Sequence, residues 1–153
     1  MATDVFYFPS NGQYVPIPST IYAQYYGQCP NPCRKYHVSS ALEGADEVAS
    51  IVLPYLAQRE IFHKVVKSKS LLSKQMAGVQ AGKFITVYMS PHVEHRNAVL
   101  ATLGELLIAA NREGRIQPSP RIPRSRPHVN LFIETPIDEG CFIYGGSIVD
   151  PTV

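Results

Sequence analysis

Lys35 and His37 stand two residues apart in Arg34-Lys35-Tyr36-His37-Val38-Ser39-Ser40, and Lys64 follows His63 in Ile61-Phe62-His63-Lys64-Val65-Val66. A cation beside a titratable imidazole is suited to holding an anion and handing it a proton. A lysine among apolar neighbours that loses its hydration favours the neutral amine, which is a base. Strand alternation places Phe62, Lys64 and Val66 on one face. If that face is inward, the amine is desolvated; if it is outward, Lys64 is solvated and His63 lies inward. The sequence leaves both arrangements open.

Further cations recur where strands end or loops begin: Lys67, Lys74, Lys83, Arg121, Arg124 and Arg126. Between Glu113 and Glu134 there are four arginines and no carboxylate, in a stretch that contains Pro118, Pro120, Pro123 and Pro127. The planar guanidinium fork matches phosphate oxygens, and proline stiffening lowers the entropy of holding it in place. A solvated basic loop is the plainer account of the same residues. Phosphate-binding glycine loops, a nucleophile elbow and an H-E-x-x-H zinc motif are absent. Cys29, Cys33 and Cys141 lack the second Cys/His pair of a zinc knuckle and read as structural or incidental thiols. The residues therefore describe an anion site of Lys, Arg and one His, with no metal and no cofactor expected. His92 and His95 read as exposed, and His128 adjoins the arginine loop.

The elements that must position these groups follow from periodicity. Residues 1–32 are rich in Tyr, Pro, Gly and Ser and read as an irregular arm, with an edge strand as an option. Tyr22, Tyr25 and Tyr26 in that arm either cover the sheet edge or bind a leader peptide, and packing is the commoner use of such aromatics. RKYHVSSA reads as a strand. LEGADEVASIVLPYLAQRE has helical spacing, with Pro54 as a kink or break. IFHKVVK is β-branched and strand-like, and SKSLLSKQMAGVQAG suits a short helix. GKFITVYM is a strand with Lys83, Ile85 and Val87 on one face and Phe84, Thr86 and Tyr88 on the other. SPHVEHRNAVLATLGELLIAANREG gives a long helix, capped by Ser90 with Pro91 at its first position and closed near Gly114. VNLFIET and CFIYGGSI follow as two strands joined by a turn around PIDEG.

The chain has 153 residues, 45% hydrophobic and 17% charged, which fits one folded domain rather than a disordered segment. The expected architecture is α+β: a single compact domain over 1–153, with the core at 33–147, whose mixed or antiparallel sheet carries helices packed on one face. A formal charge of +2 is too small to argue for nucleic acid. No membrane-length apolar run or signal pattern is present, so the expected setting is cytoplasmic, with no membrane partner.

RKYHVSS, HKVVKSKSLLSKQMAGVQAGKFITVYM and SPRIPRSRP, in that order, resemble the phosphothreonine/phosphoserine lyase-like domain of class III and IV lanthipeptide synthetases. They also resemble related stand-alone lyases and the type III effector phosphothreonine lyases. The likeness spans roughly residues 33 to 147, and GKFITVY is its most specific part. It implies metal-free β-elimination of phosphate from a phosphorylated Ser or Thr, leaving dehydroalanine or dehydrobutyrine. By motif, Lys64 becomes the base that removes the α-proton and His37 the acid that protonates the departing phosphate. Lys35 would neutralise phosphate or polarise the neighbouring carbonyl, and Lys74, Lys83, Arg121 and Arg126 would complete the cationic cradle. The implied partners are a phosphorylated precursor peptide and, since kinase motifs are lacking here, a separate Ser/Thr kinase. Two positions depart from the pattern: Gly78 stands where the family has an arginine, and Ile143 stands in place of the arginine of its terminal R-Y-G. These departures leave two alternatives: a catalytically weakened relative that binds phosphopeptide or scaffolds the kinase, and a host-directed effector.

Overall fold

The computed structural model describes residues 14–25, 27, 34–75, 77, 84–89, 93–116, 139–143 and 147–149. In chain order they form β1 (Tyr14–Pro16), β2 (Tyr22–Tyr25), β3 (Arg34–Ser39), α1 (Ala45–Gln58), β4 (His63–Val66), α2 (Lys69–Gln75), β5 (Ile85–Met89), α3 (Val93–Arg112), β6 (Glu139–Ile143) and β7 (Ser147–Val149). The seven strands make one sheet in the order β1-β2-β4-β5-β3-β6-β7. The first five in that order pair antiparallel, β6 joins β3 in parallel, and β7 closes antiparallel on β6. The fold is α+β, as the sequence indicates.

β5 lies in the middle because its side chains are apolar enough to be covered on both faces. Ile85, Thr86, Val87 and Met89 are all buried. Strands β3 and β4 run parallel on either side of it, joined by α1, and β5 fills the gap between them. α1 buries Ala45, Val48, Ala49, Val52, Leu53 and Leu56, a stripe at helical spacing. Its Tyr25 contact fixes which face it covers: the Tyr25 hydroxyl donates to the Ala57 carbonyl at 3.3 Å. α3 packs beside α1 and buries Val99, Leu100, Leu103, Leu107 and Ala110. Burial of these chains supplies most of the drive to fold, at about 25 cal/mol per Å² of apolar surface.

Several expectations are refined. Pro54 does not break α1; the helix runs through to Gln58. Pro54 is on the exposed side, where water can satisfy the carbonyl its missing N–H leaves behind. The arm expected to be irregular holds a hairpin, β1–β2, whose inner strand pairs with β4. Its turn is tied down by Lys67, whose ammonium donates to the carbonyls of Ile17 (3.1 Å) and Thr20 (2.7 Å). The stretch CFIYGGSI contributes to two strands, with Phe142 opposite Ile148, and β6 begins at Glu139, inside the segment read as a turn. Parallel pairing with β3 overrides the local turn preference there. Ser90, Pro91 and VNLFIET lie outside the described residues.

Candidate functional site

Register decides which side chains can meet. On β5, Thr86 is paired on one side with His37 of β3 and on the other with Lys64 of β4. Directly opposed residues share a face, so His37, Thr86 and Lys64 form a row across three strands. The outer two are about 10 Å apart at Cα, two strand spacings. The row continues to Gln24 on β2 and, at the backbone level, to Cys141 on β6.

His63 takes the opposite face and answers the question of orientation. It is fully buried on the side of α1, stacked on Tyr25 at 5.0 Å and edge-on to Tyr14 at 5.4 Å. Its ring lies 2.7 Å from the Ile61 carbonyl through Nδ1 and 2.7 Å from the Tyr14 hydroxyl through Nε2. The neutral ring fits both: Nδ1–H donates to the carbonyl and Nε2 accepts from the hydroxyl. Burial lowers its pKa to about 4, with the bond to Ile61 acting weakly the other way. This histidine belongs to the core.

Lys64, on the other face, is half-buried rather than simply solvated. Its ammonium is 4.2 Å from the centre of the Tyr22 ring and 5.8 Å from that of Tyr88. Such contacts contribute about 0.5–2 kcal/mol each and hold the head over the sheet. Tyr88 is steadied by Phe62, edge-on at 5.2 Å. Tyr22 is steadied by Gln75 at the end of α2, whose side-chain amide donates to its hydroxyl at 2.9 Å. Burial raises the Tyr22 hydroxyl pKa, with the Gln75 bond opposing, so the phenol stays neutral. His37 is buried, with Nδ1 at 3.2 Å from the Thr86 hydroxyl, also buried.

The remaining expected site residues are placed as follows. Lys35 lies one alternate position before His37 on β3, opposite Tyr88 on one side and Glu139 on the other. Lys74 is exposed on the last turn of α2, beside the inward Gln75. Ile143 pairs with Ser39 at the end of β3. Lys83, Arg121, Arg126, Arg124 and Gly78 lie outside the described residues, as do Cys29, Cys33, His92 and His128. Sequence reading passed over Thr86, Tyr22, Tyr88 and Gln75 as site residues. Alternation alone put Thr86 and Tyr88 on a shared face, but which strands flank β5 cannot be read from one strand. Tyr22 stood in a segment without regular period.

Chemically, the row sets an amine and an imidazole on one side of a sheet with a hydroxyl between them, beside a backbone position that carries a second lysine. A search of curated proteins returns no match. A family model described as RamC, N-terminal domain, matches residues 20–126, a span that takes in β2 through α3 and reaches Arg126 in the sequence. That is well over half of the chain, which belongs to the RamC N-terminal domain family and so to the proteins connected with lanthipeptide biosynthesis.

Proposed function

We propose that the chain is a phosphoserine/phosphothreonine lyase that eliminates phosphate from a phosphorylated precursor peptide in the cytoplasm. One observation carries the reading: Lys64 and His37 flank Thr86 on the same face of the sheet. In the reaction, the Lys64 amine takes the α-proton of the phosphorylated residue. The freed electron pair becomes the Cα=Cβ bond, the Cβ–O bond breaks, and His37 gives a proton to the departing phosphate. The products are a dehydroalanine or dehydrobutyrine residue and inorganic phosphate; no water is consumed. Enolate-like charge on the neighbouring carbonyl requires fixed cations or donors, often worth a few kcal/mol apiece. Lys35 is the nearest in sequence to supply one, and Lys74, Lys83, Arg121 and Arg126 are proposed for the phosphate. A Ser/Thr kinase provides the substrate.

The test is mass spectrometry of a phosphorylated lanthipeptide precursor incubated with the protein. Loss of phosphate to a mass one water below that of the unphosphorylated peptide supports elimination. Return to the unphosphorylated mass, or no change, counts against it. Gly78 and Ile143, in place of two arginines, favour a second reading as a phosphopeptide-binding relative. The Lys64→Ala and His37→Ala variants separate the two: a lyase loses turnover with each, whereas a binding module keeps its affinity for the phosphopeptide.

A further inference from the structure

We infer that Thr86 is a positioning residue for His37, holding the imidazole so that its distal nitrogen carries the transferable proton. The inference deepens the lyase reading and rests on it for the use to which that proton is put. Three observations carry it. Thr86 stands directly opposite His37 across the β3–β5 pair, so the two side chains rise from the same row. Its Oγ1 is 3.2 Å from Nδ1, the ring nitrogen nearer the backbone. Both side chains are buried, so bulk water does not compete for that contact.

A hydroxyl is both donor and acceptor, and it rotates to suit its partner. Facing the imidazolium, the Thr86 hydroxyl accepts from Nδ1–H, and the Nε2–H bond is the one that breaks when phosphate takes its proton. The neutral ring left behind carries its single proton on Nδ1, and the same hydroxyl still accepts it. A carboxylate at this place would accept the same proton. Thr86 thus holds the Nδ1 proton before and after the ring changes charge, so the proton exchanged is the one on Nε2. Lys64 flanks the hydroxyl from the other strand and Lys35 lies one alternate position along β3, so a carboxylate here would also neutralise a cation the site needs.

The experiment uses 15N-labelled full-length protein and reads the His37 tautomer by long-range proton–nitrogen correlation, at a pH where the ring is neutral. The wild type is expected to show the Nδ1–H form. Thr86→Val, nearly isosteric, is expected to raise the minor Nε2–H form several-fold, and Thr86→Ser is expected to restore the wild-type ratio. In parallel, kcat for elimination is expected to fall on the order of tenfold in Thr86→Val, with KM little changed, and to recover in Thr86→Ser; the scale is part of what a positioned acid contributes. A tautomer ratio indifferent to Thr86→Val overturns the inference, as does a neutral wild-type ring protonated on Nε2. A wild-type protein that never eliminates phosphate ends the lyase reading, while the tautomer measurement still decides whether Thr86 positions His37.

Discussion

Two adjacent residues, His63 and Lys64, have opposite fates because a strand turns successive side chains to opposite faces. His63 goes to the helix layer and is locked between Tyr14, Tyr25 and the Ile61 carbonyl. Lys64 goes to the face of His37 and Thr86. Replacing either proposed acid–base residue by alanine is expected to lower elimination by about 10²- to 10⁴-fold. The measurement is single-turnover release of phosphate; a variant with unimpaired turnover would remove that residue from the mechanism. The nearer ring around Lys64 has its own test. Tyr22→Leu removes the aromatic face at 4.2 Å and is expected to lower kcat about 3- to 10-fold, whereas Tyr22→Phe keeps the face and loses only the Gln75 bond. Equal losses in the two variants would show that the hydrogen bond matters and the ring face does not. At this scale the sequence was partly legible. Lys64, His37 and Lys35 stood out by type and spacing, but the side chains that hold Lys64 and His37 come from β2 and β5. No local pattern announces that Thr86 will lie between strands that precede it in the chain.

Among the elements, the helix ends show how far local rules reach. α3 finishes in a Schellman turn: Gly114 has φ of 74°, its N–H bonds the Asn111 carbonyl at 3.0 Å, and the Arg115 N–H reaches back to Ala110 at 3.0 Å. The glycine was visible in the sequence as a stop, and the helix ends where it predicts. Adding a Cβ there meets no atom within 4 Å, so the cost of Gly114→Ala is that of the left-handed backbone alone. It is expected to be about 1 kcal/mol, read from the urea midpoint. α1 ends in the same motif without the glycine. Glu60 has φ of 54°, its N–H bonds Ala57 at 3.1 Å, and the Ile61 N–H bonds Leu56 at 3.0 Å, with Ile61 buried. Glu60→Gly is therefore expected to stabilise the fold by about 0.5 kcal/mol, the relief of strain less the added freedom of the unfolded chain. A lower midpoint for Glu60→Gly would mean the glutamate side chain contributes more than the backbone strain costs. This stop was invisible in the sequence because glutamate carries no turn signal; packing of Ile61 enforces it.

For the whole molecule, His63 joins the β1–β2 hairpin to the α1 side of the sheet and links stability to pH. Its folded pKa, about 4, is below the ordinary value of 6.5, so between those limits the unfolded chain binds a proton that the folded chain does not. Stability is full above pH 6.5 and falls as pH drops toward 4, by on the order of 3 kcal/mol. Urea unfolding at several pH values should show this slope, and His63→Phe should flatten it; an unchanged slope would assign the acid sensitivity to other groups. The α+β class and strands β3, β4 and β5 were legible from periodicity, and the stretch CFIYGGSI was read as one strand where it contributes to two. Strand order was not, because pairing partners are distant in sequence and alternation says nothing about neighbours. The central place of β5 has one last consequence. β3, α1 and β4 all precede it in the chain, yet the gap between them stays open until residues 85–89 arrive. A nascent chain on the ribosome can therefore hold both the amine and the imidazole for some time before they share a sheet, and the proposed site is born in the same step that closes it.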